Sequence, residues 1–182
     1  MAFEIFVLKP KDRIPKPDEP NWHECSDEEA KAYSAWLKNT KGAFFTNHIW
    51  EWHLLWEFII EVCDDLITEE YKEEGMFIGD HIISDIKAKK IGKRLREVDD
   101  DLLDREIAHR KKLDDIPDKE CDICEGTGKT CEPPQRGPGE IHCDSCDGKG
   151  TQRPFITEYP FRADNVRAFS EFCEYSGGFK IS

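Results

Sequence analysis

His48-Ile-Trp-Glu-Trp-His-Leu-Leu-Trp-Glu-Phe-Ile-Ile-Glu-Val-Cys63 is the most apolar stretch of the 182-residue chain, and its spacing decides the fold class. Positions 49, 52, 56, 59, 60 and 63 fall on one face at the helical period, while 50, 54 and 58 fill a second. A helix apolar on two faces belongs at the centre of a core, so the segment predicts a mainly helical body. Its three tryptophans with His48 and His53 also raise an aromatic pocket, or a metal site built from His53 and Glu57 one turn apart. Core packing is the stronger reading, because no third ligand is identifiable.

Upstream, Phe44-Phe-Thr-Asn47 ends in cap residues and opens this helix. Ser26-Asp-Glu-Glu29 is a capping box that starts a helix over 27–38, burying Ala30, Tyr33 and Leu37. Phe3-Glu-Ile-Phe-Val-Leu8 has strand composition, and Pro10, Pro15, Pro17 and Pro20 then make an extended connector. Downstream, Thr68 caps a short helix over 69–74 that Gly75 ends. From Asp80, apolar residues at 83, 86, 91, 95, 98, 102, 103, 107 and 113 read as one or two amphipathic helices with a break near Gly92. Packing against the tryptophan helix is the stronger reading of that stretch; a partner-binding helix is the sharper one. Asp164 is the expected N-cap of a helix over 165–175, stopped by Gly177-Gly178, and Phe179-Lys-Ile181 is a final strand that should pair with Phe3–Leu8.

Inside this body sits a repeat. Cys121-Asp-Ile-Cys-Glu-Gly-Thr-Gly128 and Cys143-Asp-Ser-Cys-Asp-Gly-Lys-Gly150 share every fixed position of Cys-x-x-Cys-x-Gly-x-Gly. Two such pairs about twenty residues apart can deliver Cys121, Cys124, Cys143 and Cys146 to one tetrahedral zinc ion from the strands of a hairpin. After the second cysteine of each pair the backbone must turn over the sulfur and point amides at it, which favours glycine. A pair of disulfides is the competing reading, and nothing marks the chain as secreted. Cys131 and His142 lie between the knuckles without that spacing and are weak substitute ligands, while Cys25, Cys63 and Cys173 show no pairing pattern. Pro133, Pro134, Gly137, Pro138 and Gly139 should form a tip that is mobile unless bound. The predicted architecture is therefore mainly α (α+β). A helical body (1–116 and 155–182) carries a short terminal β-pair and an inserted zinc-bound β-hairpin finger (117–154).

Over residues 121–150 only, the chain resembles the cysteine-rich zinc domain of the DnaJ family, whose repeat is the same eight-residue pattern. That domain carries four repeats and two zinc ions, so two repeats here imply one zinc. The resemblance implies a protein-contacting zinc finger. It does not imply chaperone activity, since no His-Pro-Asp tripeptide and no Gly/Phe-rich linker is present. The remaining layout is loosely similar to uncharacterised small bacterial and phage proteins, a setting in which such a chain could regulate or inhibit another protein.

Composition narrows the function classes. With 39 Asp and Glu against 26 Lys and Arg the net charge is −13, which disfavours a nucleic-acid backbone and favours a protein partner with a basic face. The basic run Lys87, Lys89, Lys90, Lys93, Arg94 and Arg96 keeps a nucleic-acid-associated reading open, although a solvated helix face is the better one. Cys-x-x-Cys is also the spacing of thiol-disulfide oxidoreductases, so a redox or chaperone-like protein stands as an alternative. There is no phosphate loop, nucleophile elbow or His-Glu-x-x-His motif, so no enzyme is expected. No run of eighteen apolar residues and no leader-like start is seen, so the chain reads as cytoplasmic with no membrane partner.

Overall fold

The structure is a computed structural model that describes residues 2–8, 16–76, 81–132 and 135–181. It is mainly α with a small β portion. The chain divides into two compact units, Met1–Glu106 with Phe161–Ser182, and Ile107–Pro160.

In the first unit, β1 (Ala2–Val7) and β8 (Gly178–Ile181) pair antiparallel with Ile5 opposite Ile181, so the expected terminal pair is present. The sheet nevertheless has four strands, in the order β2-β1-β8-β3, with β2 at Phe44–His48 and β3 at His81–Ser84. Both additional strands correct the sequence reading. Thr46 and Asn47 are strand residues rather than caps, and α2 starts at Ile49 behind His48, which makes no side-chain cap bond. His81-Ile-Ile-Ser84 is too short to show an alternating pattern, and its apolar residues read as part of the helix that follows. Asp80, the expected start of that helix, lies outside the described residues; α4 spans Asp85–Glu97 behind a Ser84 cap.

Core placement follows the strand register. Ile5 faces Phe45 and Ile181 across the ladder, and Ile83 faces Phe179, which puts all five on the face covered by α2 (Ile49–Cys63), α4 and α6 (Ala163–Tyr175). On α2 the fully buried residues are Trp52, Leu55, Trp56, Ile59 and Cys63, and the two indoles stack at 5.5 Å. Trp50, expected on the second buried face, is instead exposed. The buried indoles need acceptors, and α3 (Glu69–Glu74) and the turn after it supply them. Trp52 Nε1 donates to Gly75 O at 2.7 Å and Trp56 Nε1 to Lys72 O at 3.1 Å, while His53 Nε2 lies 2.9 Å from Met76 O. The aromatic residues of α2 thereby hold α3, which Thr68 caps as expected.

Gly92 does not break α4. A Cβ there would lie 2.8 Å from Ser170 O and 3.1 Å from Cys173 Cβ, and Ser170 Oγ donates to Gly92 O at 2.8 Å. The glycine lets α4 and α6 approach closely. The chain breaks later, at the 3₁₀ turn Asp99–Asp101, before α5 (Leu102–Asp114). Asp164 is not the cap of α6 either. The helix begins at Ala163, whose N–H donates to Glu106 Oε2 at 2.8 Å, so a carboxylate from α5 occupies the capping role and Asp164 pairs with Arg167. Outside the main core, Tyr33 and Trp36 of α1 (Asp27–Asn39) form a second cluster with Ala43. The Ser26–Glu29 capping box that starts α1 is complete.

Two substitutions check this packing. Gly92→Ala should destabilise the first unit by about 1–3 kcal/mol in urea unfolding, although alanine is the better helix former; a stabilised variant would contradict the close approach. Trp56→Ala should cost about 3–5 kcal/mol, and a loss below about 1 kcal/mol would remove the indole from the core.

Candidate metal centre

The second unit is built on the repeat. Four two-residue strands form two antiparallel ladders: β4 (Lys119–Glu120) with β7 (Thr151–Gln152), and β5 (Lys129–Thr130) with β6 (Ile141–His142). The finger is thus a hairpin nested inside an outer ladder rather than one continuous hairpin, because each Cys-x-x-Cys knuckle interrupts the pairing.

The two knuckles are related by a local two-fold. Cys121 N donates to Gly150 O at 2.9 Å, and Cys143 N donates to Gly128 O at 3.1 Å. Gly128 N points at Cys124 Sγ and Gly150 N at Cys146 Sγ, both at 3.3 Å. These are the amide-to-sulfur contacts that the glycine pattern predicts, and they stabilise a thiolate. Gly126, Gly128, Gly148 and Gly150 all have φ between +69° and +77°. At Gly128 and Gly150 a Cβ would also fall 2.2 and 2.1 Å from the carbonyl oxygens of Gly148 and Gly126, so the knuckles interlock through bare backbone. Glu125 and Asp147, each at φ 50°, adopt the left-handed conformation as well. Sequence reasoning missed these two; the signal was an acid at the same position of both repeats.

The geometry brings together all four cysteines named from the repeat. Their sulfurs lie within 4.8 Å of one another and all four residues are buried. The Cys121–Cys143 and Cys124–Cys146 sulfur separations are 3.9 and 3.7 Å. A tetrahedron with metal–sulfur bonds of about 2.3 Å has edges of about 3.8 Å, so these two edges match a four-thiolate metal centre. Disulfide bonds at about 2.05 Å do not match these separations. Electrostatics point the same way, since four buried sulfurs this close cannot all ionise without a cation. The backbone amides of Ile123 and Cys124 hold the Cys121 thiol down to about 6, while burial pushes Cys143 up to about 12.

Among the described residues no other group of three His, Cys, Asp or Glu side chains converges on a common point. Cys131 stands apart, its Sγ 3.0 Å from Pro138 O, and His142 faces Asp147 at 3.6 Å. The buried Cys63 and Cys173 thiols are raised by desolvation, Cys63 to about 11. Pro133 and Pro134 of the expected tip lie outside the described residues. The described part is held rather than free: Gly137 N donates to Ile123 O at 2.9 Å, and Gly139 N to Lys129 O at 3.2 Å. Arg153 closes the base of the unit on Leu113 O and Ile116 O at 2.8 and 2.6 Å. No helix among the described residues is long and apolar enough to cross a membrane.

No family model matches the chain, and no curated protein or solved structure matches it at a significant level.

Replacing Cys121 or Cys146 by Ser should remove the bound metal and lower the stability of the second unit while sparing most of the helical circular-dichroism signal; an unchanged metal content would defeat the assignment. Binding must expel the thiol protons, above all that of Cys143. Affinity should therefore fall as pH falls, with protons released on metal addition. A chelator competition run at several pH values measures this, and pH-independent affinity would contradict it.

Proposed function

We propose that the finger binds one structural zinc ion and that the protein is a non-enzymatic protein-interaction protein, a regulator or inhibitor of another protein. The observation that carries this reading is the four-sulfur geometry, because four thiolates complete a tetrahedron and leave no position for water or substrate. Zinc suits such a site because it imposes no redox chemistry and favours sulfur in tetrahedral geometry. The ladders of the unit are two residues long, and β4, β6 and β7 bury no residue fully, so the metal would provide the order that a hydrophobic core provides elsewhere.

The DnaJ-type repeat supports protein contact as the role of the finger, and the net charge of −13 supports a partner with a basic face. The basic residues of α4 give little support to the nucleic-acid alternative. Lys89 pairs with Asp85, Lys93 with Glu97, Arg94 with Asp65 and Arg96 with Glu174, while Lys87 stands over the Tyr71 ring. The redox alternative would need the sulfurs to close to bonding distance in pairs.

Native mass spectrometry of the protein isolated from its own cells without added metal tests the reading. The expected result is one zinc ion and a stoichiometric protein companion that leaves when the metal is chelated and is weakened by salt. A metal-free chain with oxidised Cys-x-x-Cys pairs, or a companion that is nucleic acid, would overturn it.

A further inference from the structure

A cleft of about 500 Å³ opens in the first unit beside α1, within the range of about 300–1,000 Å³ of small-molecule sites. Among the described residues its aromatic lining is Trp22, Tyr33, Trp36 and Phe44, and the charged side chains of Glu19 and Lys16 line it as well. Trp22 meets Tyr33 edge-on, with 5.9 Å between centroids and 79° between planes, and Tyr33 and Trp36 are also 5.9 Å apart at 37°. The three rings are thus not parallel to one another; Trp22 is the exposed one, while Tyr33 and Trp36 are mostly buried. Glu19 lines the same cleft as Tyr33, and burial, then the Glu19 carboxylate, raise the Tyr33 phenol above its usual range. One cation already uses the site: Lys16 Nζ lies 5.9 Å from the Trp36 centroid.

We propose that this aromatic cleft is a binding site for a methylated ammonium group, with Trp22, Tyr33 and Trp36 supplying π faces and Glu19 the counter-charge. The ring faces are negative and reject anions, as does the net charge of the chain. A bare lysine ammonium is strongly hydrated, and Lys16 lies at the outer limit of the cation–π range. A methylated ammonium keeps the positive charge and sheds water at lower cost. Its methyl groups would meet the apolar part of the wall at Val7, Leu37 and Ala43. The cleft residues belong to the first unit and the four cysteines to the second.

The test is titration of the full chain with choline, read from the tryptophan side-chain N–H resonances, beside its uncharged isostere 3,3-dimethylbutan-1-ol. Saturable shifts of Trp22 and Trp36 are expected with choline, and affinity for the alcohol should be weaker by roughly tenfold. Trp22 is 57% exposed, so Trp22→Ala should fold normally yet lose binding by roughly tenfold, and Glu19→Gln should weaken it several-fold. A trimethyl-lysine peptide run in parallel identifies the source. Tighter binding of the peptide assigns the group to a protein side chain, and tighter binding of choline to a small molecule. Equal response to the alcohol, or binding untouched by both substitutions, would sink the proposal.

Discussion

Four sulfurs that all lie within 4.8 Å of one another, in a unit with little apolar interior, set the constraint on which residues 107–160 depend. Burying one thiolate is costly, and burying four is feasible only around a divalent cation. The rest of the unit follows from that requirement. Each knuckle must turn back on its own sulfur, so Gly128 and Gly150 take left-handed backbone and aim their N–H groups at Cys124 and Cys146. The interlocked glycines leave no room for side chains between the knuckles, and Ile123 is the partly buried hydrophobe that packs on the cysteines. Hydrogen bonds and four cysteines arranged to hold a metal ion replace a core here.

The first unit solves the opposite problem with hydrocarbon. Its centre is the stacked pair Trp52 and Trp56, with Phe169 edge-on to Trp52 at 5.7 Å. Burial of so large an aromatic surface gives the dominant stabilisation, but it also strands two indole N–H groups. The α3 turn satisfies both, which explains why a short, strongly acidic helix is retained beside an apolar one. Charged contacts lie at the margins, such as Arg105 on Glu61 and over the Phe58 ring, where exposure limits what each contributes.

Legibility in the sequence tracked how local each signal is. The Ser26–Glu29 capping box, the Thr68 cap, the long apolar helix and the cysteine repeat are encoded within a few residues, so α1, α2, α3 and all four metal-ligand candidates could be named. Strands β2 and β3 could not, because a four- or five-residue strand next to a helix start looks like a continuation of that helix. Gly92 read as a breaker since propensity is local, whereas its actual role depends on Ser170, 78 residues away. The cap of α6 failed likewise: Glu106, distant in sequence, does what the adjacent Asp164 was expected to do. The aromatic cleft joins residues from the connector, α1 and two strands, and no linear pattern announces it.

The proposed zinc ion would be surrounded by four thiolates and nothing else. X-ray absorption fine structure at the zinc edge of the purified protein tests it most directly. A single shell of four sulfur atoms at about 2.3 Å is the expected result. A shell containing nitrogen or oxygen at about 2.0–2.1 Å, or a protein carrying no zinc, would contradict it.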